Sequence, residues 1–182
     1  MQMPPHTSLR PATDADIPFL FRVYASSRAD EMALVDWSDV QKKDFLQMQF
    51  DAQHSYYHEN YAQARFDVIE VDGEPVGRLY VERREDEIRI IDIALLPECQ
   101  RRGTGGSLIR SILDEARDSG RSVTIHVEQN NPAMAMYTRL GFQHVRDVSV
   151  YYFMRWDSTC DRLEDNSSGN SAGGAADQVS SD

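Results

Sequence analysis

One segment constrains this chain more than any other: an apolar run that ends at a proline, passes through a glycine-rich turn and resumes as an amphipathic repeat. Residues 90–96 form the longest apolar run, broken only by Asp92, and the consecutive apolar positions of 88–96 suit a strand covered on both faces. Pro97 ends it. Gly103, Gly105 and Gly106 follow, and then Leu108, Ile109, Ile112, Leu113 and Ala116 recur at helical spacing until Gly120 closes the helix. The first turn of a helix presents unpaired N–H groups and the positive end of its dipole, and glycines let an anion approach the backbone. Arg101 and Arg102 make this junction the one concentrated basic spot of an acidic chain, so a phosphate group is the expected guest. A Walker loop would need Gly-Lys-Ser/Thr at its end, and a dinucleotide fingerprint would need Gly-x-Gly-x-x-Gly early in a βαβ unit; neither is present in the right place.

The surrounding pattern predicts an α/β (mixed α+β) chain. Thr7–Pro11 is expected as a first strand, followed by a helix capped at Thr13 with Ile17, Leu20, Phe21 and Tyr24 on its apolar face. Residues 36–61 are expected to be helical. From Arg65 the period changes to two, and 66–71 with 75–83 form a hairpin about Asp72 and Gly73. After the central helix come a strand at 123–127, a short helix at 132–140 and two closing strands at 142–148 and 150–156. The order βααβββαβαββ implies a central mixed β-sheet with helices on both faces.

At 182 residues the chain suits one domain at 1–160. Residues 161–182, rich in Ser, Gly, Asn and Asp, read as a disordered acidic tail, since they offer little apolar surface to offset their ordering entropy. The formal charge of −11 argues against nucleic acid and against an anionic membrane surface. No run is long enough to span a bilayer and no signal pattern opens the chain, so a cytoplasmic protein is expected. Cys99 and Cys160 are isolated, and His54 and His58 lack an acidic partner at metal-site spacing, so no metal is expected.

The residues Gln100-Arg101-Arg102-Gly103-Thr104-Gly105 match the Gln/Arg-x-x-Gly-x-Gly/Ala pyrophosphate motif, and thirty residues on stand Asn130-Asn131-Pro132-Ala133-Met134-Ala135-Met136-Tyr137 and then Leu140-Gly141-Phe142. In these two blocks the chain resembles the GNAT acetyltransferase superfamily, and the resemblance covers roughly 7–156. It implies the acyl-CoA N-acyltransferase fold, with acetyl-CoA as cosubstrate and an amine as acceptor, either a small molecule or a protein amine. Ile93, Ala94 and Leu95 would pair with the pantetheine arm like an added strand, while Gln100 and residues 101–106 would hold the pyrophosphate. A bulge in the strand at 88–96 would part it from 123–127, and a backbone N–H near Ile93 or Leu95 would bind the oxyanion.

By the same resemblance Tyr137 would be the general acid that protonates the departing thiolate; the other reading is an aromatic packed on a short helix. Asn130 and Asn131 would bond the cofactor arm or start that helix. For the general base, His126 and Glu128 end the strand beside the reaction point, although His126 equally suits a packed residue on the other sheet face and Glu128 a loop carboxylate. Asp30 and Glu31 would guide a cationic acceptor or remain solvated. Direct transfer in a ternary complex is the expected activity, and a binding module that holds acyl-CoA without turnover is the alternative. The aromatic strand with Tyr151, Tyr152, Phe153 and Trp156, taken as a sheet edge, would favour a homodimer.

Overall fold

A computed structural model describes residues 6–158. The tail at 161–182 lies outside the described residues. Seven strands form one sheet: β1 (Thr7–Pro11), β2 (Arg65–Val71), β3 (Glu74–Arg83), β4 (Glu87–Leu95), β5 (Ser122–Glu128), β6 (Gln143–Val148) and β7 (Tyr151–Asp157). Their order is β1-β2-β3-β4-β5-β7-β6, and every neighbouring pair is antiparallel except β4 with β5. The helices are α1 (Ile17–Ser27), α2 (Ala29–Ala33), α3 (Asp39–Asn60), α4 (Thr104–Ser119) and α5 (Met134–Arg139). The mixed sheet with helices on both faces is therefore present, with one short helix, α2, beyond the expected order. Its five residues bury nothing, which is why no periodicity announced it.

Two apolar layers flank the sheet. On one face Ile69, Leu79, Val81, Ile88, Ile90, Val123, Ile125 and Val127 meet Ile109, Ile112, Leu113 and Ala116 of α4, with Tyr137 and Phe142 at the rim. On the other, Leu20 and Tyr24 of α1 and Leu46 and Phe50 of α3 close over Val68. Along α3, His54 stacks on Phe50 at 5.6 Å, His58 lies edge-on to His54 at 4.4 Å, and Phe66 stacks on His58 at 4.2 Å. These two histidines thus belong to an aromatic column. Among the described residues no helix is long and apolar enough to cross a membrane.

The terminal strands depart from expectation in one respect. The aromatic strand β7 pairs on both sides, with β5 and with β6, so it is interior, and Trp156 is buried. The edge falls to β6, which is solvent-exposed along its whole length. An edge rich in aromatics is therefore not available for pairing with a second copy. The chain returns on itself so that the last strand inserts between its two predecessors, a topological choice that local patterning does not encode.

Candidate active site

Strands β4 and β5 run together for only four register pairs, from Glu87↔Ser122 to Ile90↔Ile125. The cause lies on the other side of β4: its pairing with β3 jumps from Val81↔Ile90 to Tyr80↔Asp92, leaving Ile91 as an extra residue. Such a bulge bends and twists its strand. Beyond it, residues 91–95 and 126–128 lack cross-strand partners along the opening, as expected for the strand at 88–96. The bulge also exchanges faces, so that Ile93 and Leu95 pack with Ile88 and Ile90 in the α4 layer while Asp92 turns the other way, toward Arg78.

At the mouth of this opening the chain passes through a 3-10 turn at Pro97–Cys99 into α4. Arg101 (φ 58°) and Gly103 (φ 88°) hold left-handed backbone, and Gly103 tolerates this without steric cost. The first hydrogen bond of the helix runs from Ser107 N–H to the Gly103 carbonyl, at 2.9 Å. Among the described residues no protein acceptor takes the N–H groups of Arg101, Arg102, Gly103, Thr104, Gly105 or Gly106. Six consecutive free donors at a helix start fit a pyrophosphate. A Cβ on Gly105 or Gly106 would find only ordinary contacts, at 3.6–3.7 Å, so the space above these two glycines is what a side chain would otherwise fill. Gln100 has a different task here, since its side-chain amide donates to the Leu95 carbonyl at 2.9 Å and ties the loop to β4.

Tyr137 is 3% exposed and sits edge-on to Phe142 at 5.6 Å, with Ile93, Leu95 and Val127 in the same layer. Burial first, and then the negative charge of Asp92, push its phenol well above the usual range, so it is protonated at neutral pH. Asn131 spends its side chain on the Ala133 N–H, at 2.8 Å, which starts α5, whereas Asn130 is exposed.

The opposite face of the opening holds the base candidates. Glu128 Oε1 lies 3.0 Å from Arg28, at the junction of α1 and α2, and Glu31 shares that guanidinium at 2.8 Å. Asp30 is exposed. His126 points to this same face, where its Nδ1 takes an N–H of Arg89. Burial, followed by the charges of Arg89 and Arg146, lowers the His126 pKa, so the ring is neutral. The deepest charge pair, Arg78 with Asp92 at 2.6 Å, escaped sequence reasoning. Asp92 was visible as the lone acid in an apolar run, and that isolation was the available signal. Around the pair stand Tyr57 and Tyr80, both with raised phenol pKa values, chiefly through burial, with Asp92 adding to the rise and Arg78 opposing it.

Residues 31–142 match the model of the acetyltransferase (GNAT) family. The chain belongs to the GNAT family. Among curated relatives, it is similar to an N-alpha-acetyltransferase of Sulfurisphaera tokodaii, 28% identical over 105 residues, covering 50% of this chain and 63% of the relative. It is also similar to the [ribosomal protein bS18]-alanine N-acetyltransferase of Salmonella typhimurium, 37% identical over 70 residues, covering 37% of this chain and 47% of the relative. The chain spans between 25% and 63% of the length of the curated relatives it matches. Among solved GNAT-type structures, that of the PaiA N-acetyltransferase of Thermoplasma acidophilum in complex with coenzyme A superposes with a TM-score of 0.63 at 13% identity, covering 84% of this chain and 99% of that one. This last likeness establishes the fold.

Proposed function

We propose that this GNAT chain transfers an acyl group, acetyl by default, from acyl-coenzyme A to an amine within a ternary complex, using the described domain and no metal. One observation carries this reading: a parallel strand pair that parts after four rungs leads directly to six free N–H donors at a helix start. The donors suit the pyrophosphate, and the unpartnered edges of β4 and β5, with Ile93, Ala94 and Leu95, suit the amide-bearing pantetheine arm. The presence of coenzyme A in a structure of the same fold agrees with this assignment.

Glu128 takes the proton of the acceptor ammonium and passes it to water. The free amine attacks the thioester carbonyl carbon, and a backbone N–H of β4 stabilises the oxyanion. As the C–S bond breaks, Tyr137 gives its proton to the sulfur, and the proton shed by the acylated nitrogen restores the phenol. Of the two base candidates, geometry favours Glu128, because His126 already commits its Nδ1 lone pair to Arg89. Burial, and secondarily Asp92, keeps Tyr137 in its proton-bearing form.

Thiol release measured across a panel of amines, paired with calorimetric titration of coenzyme A, tests the proposal. Expected are micromolar-range binding, turnover with at least one amine class, and a loss in kcat of about 100-fold or more in Tyr137→Phe with coenzyme A affinity retained. Binding without turnover would leave an inactive acyl-CoA-binding module instead. Absence of binding would overturn the site itself.

A further inference from the structure

The sheet face turned toward α1 and α3 carries a cationic row that the transfer step does not use. Arg89 pairs in register with Thr124, His126 with Phe153, and Phe153 with Arg146, so the side chains of β4, β5, β7 and β6 stand side by side on one face. Arg89 is only 7% exposed, yet among the described residues no carboxylate lies within ion-pair distance of it or of Arg146. Its neighbours are His126, the Thr124 hydroxyl at 3.4 Å and the Tyr61 hydroxyl. The two nearby acids are engaged elsewhere: Arg84 holds Glu82 and Glu87, and Glu87 also accepts from Thr124. Both guanidiniums lie against the Phe153 ring, Arg89 at 5.6 Å and Arg146 at 4.6 Å from its centre.

A buried guanidinium that no carboxylate pairs directly, with Glu87 reaching it only through Thr124, is unfavourable, and a second cation close by adds to the cost. The arrangement is relieved by an anion. Because Nδ1 of the neutral His126 ring accepts from Arg89, its hydrogen resides on Nε2, which is then a third donor. Arg89 touches His126 and the charge of Arg146 also reaches that ring, so three donor groups cluster about it. The location identifies the guest: His126 is the first residue of β5 past the last register pair, and Glu128 is two residues farther on the same face. Alternate residues on one strand face are about 7 Å apart, so an amine served by Glu128 lies a few bonds from an anion held at His126, the ring that the Arg89 side chain reaches. Arginine suits a carboxylate, which it grips through two parallel N–H bonds.

We propose that Arg89, His126 and Arg146 form an acceptor-side anion subsite, and that the amine acylated here is a compact amino carboxylate, not a polyamine. This inference rests on the transfer reading above for its amine, but not for its anion. The test compares α-, β- and γ-amino carboxylates with their matched carboxamides and with putrescine, on the full chain at constant ionic strength, by melting temperature and by thiol release.

At least one amino carboxylate raises the melting temperature where its carboxamide and putrescine do not, and it is turned over at least tenfold better in kcat/KM. In Arg89→Met, which keeps the buried volume, the carboxylate-to-carboxamide ratio falls at least tenfold. In Arg146→Ala, a surface change that leaves folding intact, it falls about threefold through KM. A wild type that prefers putrescine or treats acid and amide alike, or a ratio unmoved in Arg146→Ala and in folded Arg89→Met, overturns the subsite. A carboxylate-specific thermal shift with no thiol release from any amine would instead remove the transfer reading and leave the subsite standing.

Discussion

Arg78 and Asp92 meet at 2.6 Å on adjacent strands, 5% and 17% exposed, directly where the bulge turns β4 away from β5. Burial works against the charge of Arg78, but Asp92 and the neighbouring tyrosines outweigh it, and the guanidinium stays ionised. Gln53 of α3 adds a bond to the same guanidinium at 2.9 Å, so the pair also fastens the helix to the sheet. Removing one partner strands the other in a low-dielectric site. Asp92→Ala is expected to cost about 3–5 kcal/mol in urea unfolding, whereas the joint Arg78→Met/Asp92→Leu variant costs markedly less. Equal losses in the single and the double variant would refute this account of the pair.

Three phenols, those of Tyr57, Tyr80 and Tyr137, have raised pKa values because burial disfavours the phenolate, and Tyr80 is pushed up to about 12. The sign follows from linkage: in the unfolded chain these groups ionise near pH 10, so stability is intact below that value and falls as pH rises through the folded values. Each group contributes a slope of at most about 1.4 kcal/mol per pH unit. Absorbance titration of the eight tyrosines should show a late-ionising class that appears only as circular dichroism is lost. Complete ionisation near pH 10 with native ellipticity would contradict the burial of this cluster.

Gly77 faces Leu95 across the β3–β4 ladder, and a Cβ there would overlap the carbonyl oxygen of Ala94 and press on the Leu95 side chain. The obstacle is backbone, which cannot swing aside as a side-chain tip would. Gly77→Ala should therefore destabilise the fold by about 1–3 kcal/mol and shift the edge of β4 that faces the opening, weakening coenzyme A at least tenfold. An alanine variant with wild-type melting temperature and affinity would mean that the two strands have slack at this point.

Glu128 and His126 are separated by the same reasoning that assigned them. Glu128→Gln should lower kcat by about 100-fold or more while leaving coenzyme A affinity intact. His126→Gln should act chiefly through KM for the acceptor, because the amide side chain can still donate a hydrogen bond. If the larger fall in kcat belongs to the histidine variant, the base assignment is reversed.

Much of this was legible from the chain alone, for identifiable reasons. Glycine and proline punctuation placed the β4–α4 junction, and period-two alternation placed the β2–β3 hairpin to within a residue or two. Tyr137 was singled out by motif resemblance, and the structure places it buried beside Phe142. What stayed hidden depends on distant pairing: the insertion of β7 between β5 and β6, and the Arg78–Asp92, Arg28–Glu128 and Arg89–His126 contacts, which join residues 14 to 100 positions apart. Asn131 illustrates the limit from the other side. Its sequence context suited a cofactor bond and a helix start equally, and only the 2.8 Å bond to the Ala133 N–H separates them.

The four pairs joining β4 to β5 make the sheet two panels stitched along a short seam, one of β1 to β4 and the other of β5, β7 and β6. Any molecule that lies in the gap and bonds to both borders lengthens that seam. Substrate capture and mechanical cohesion then draw on the same backbone groups, and the panels should be stiffest relative to each other when the carrier is aboard and loosest just after it leaves.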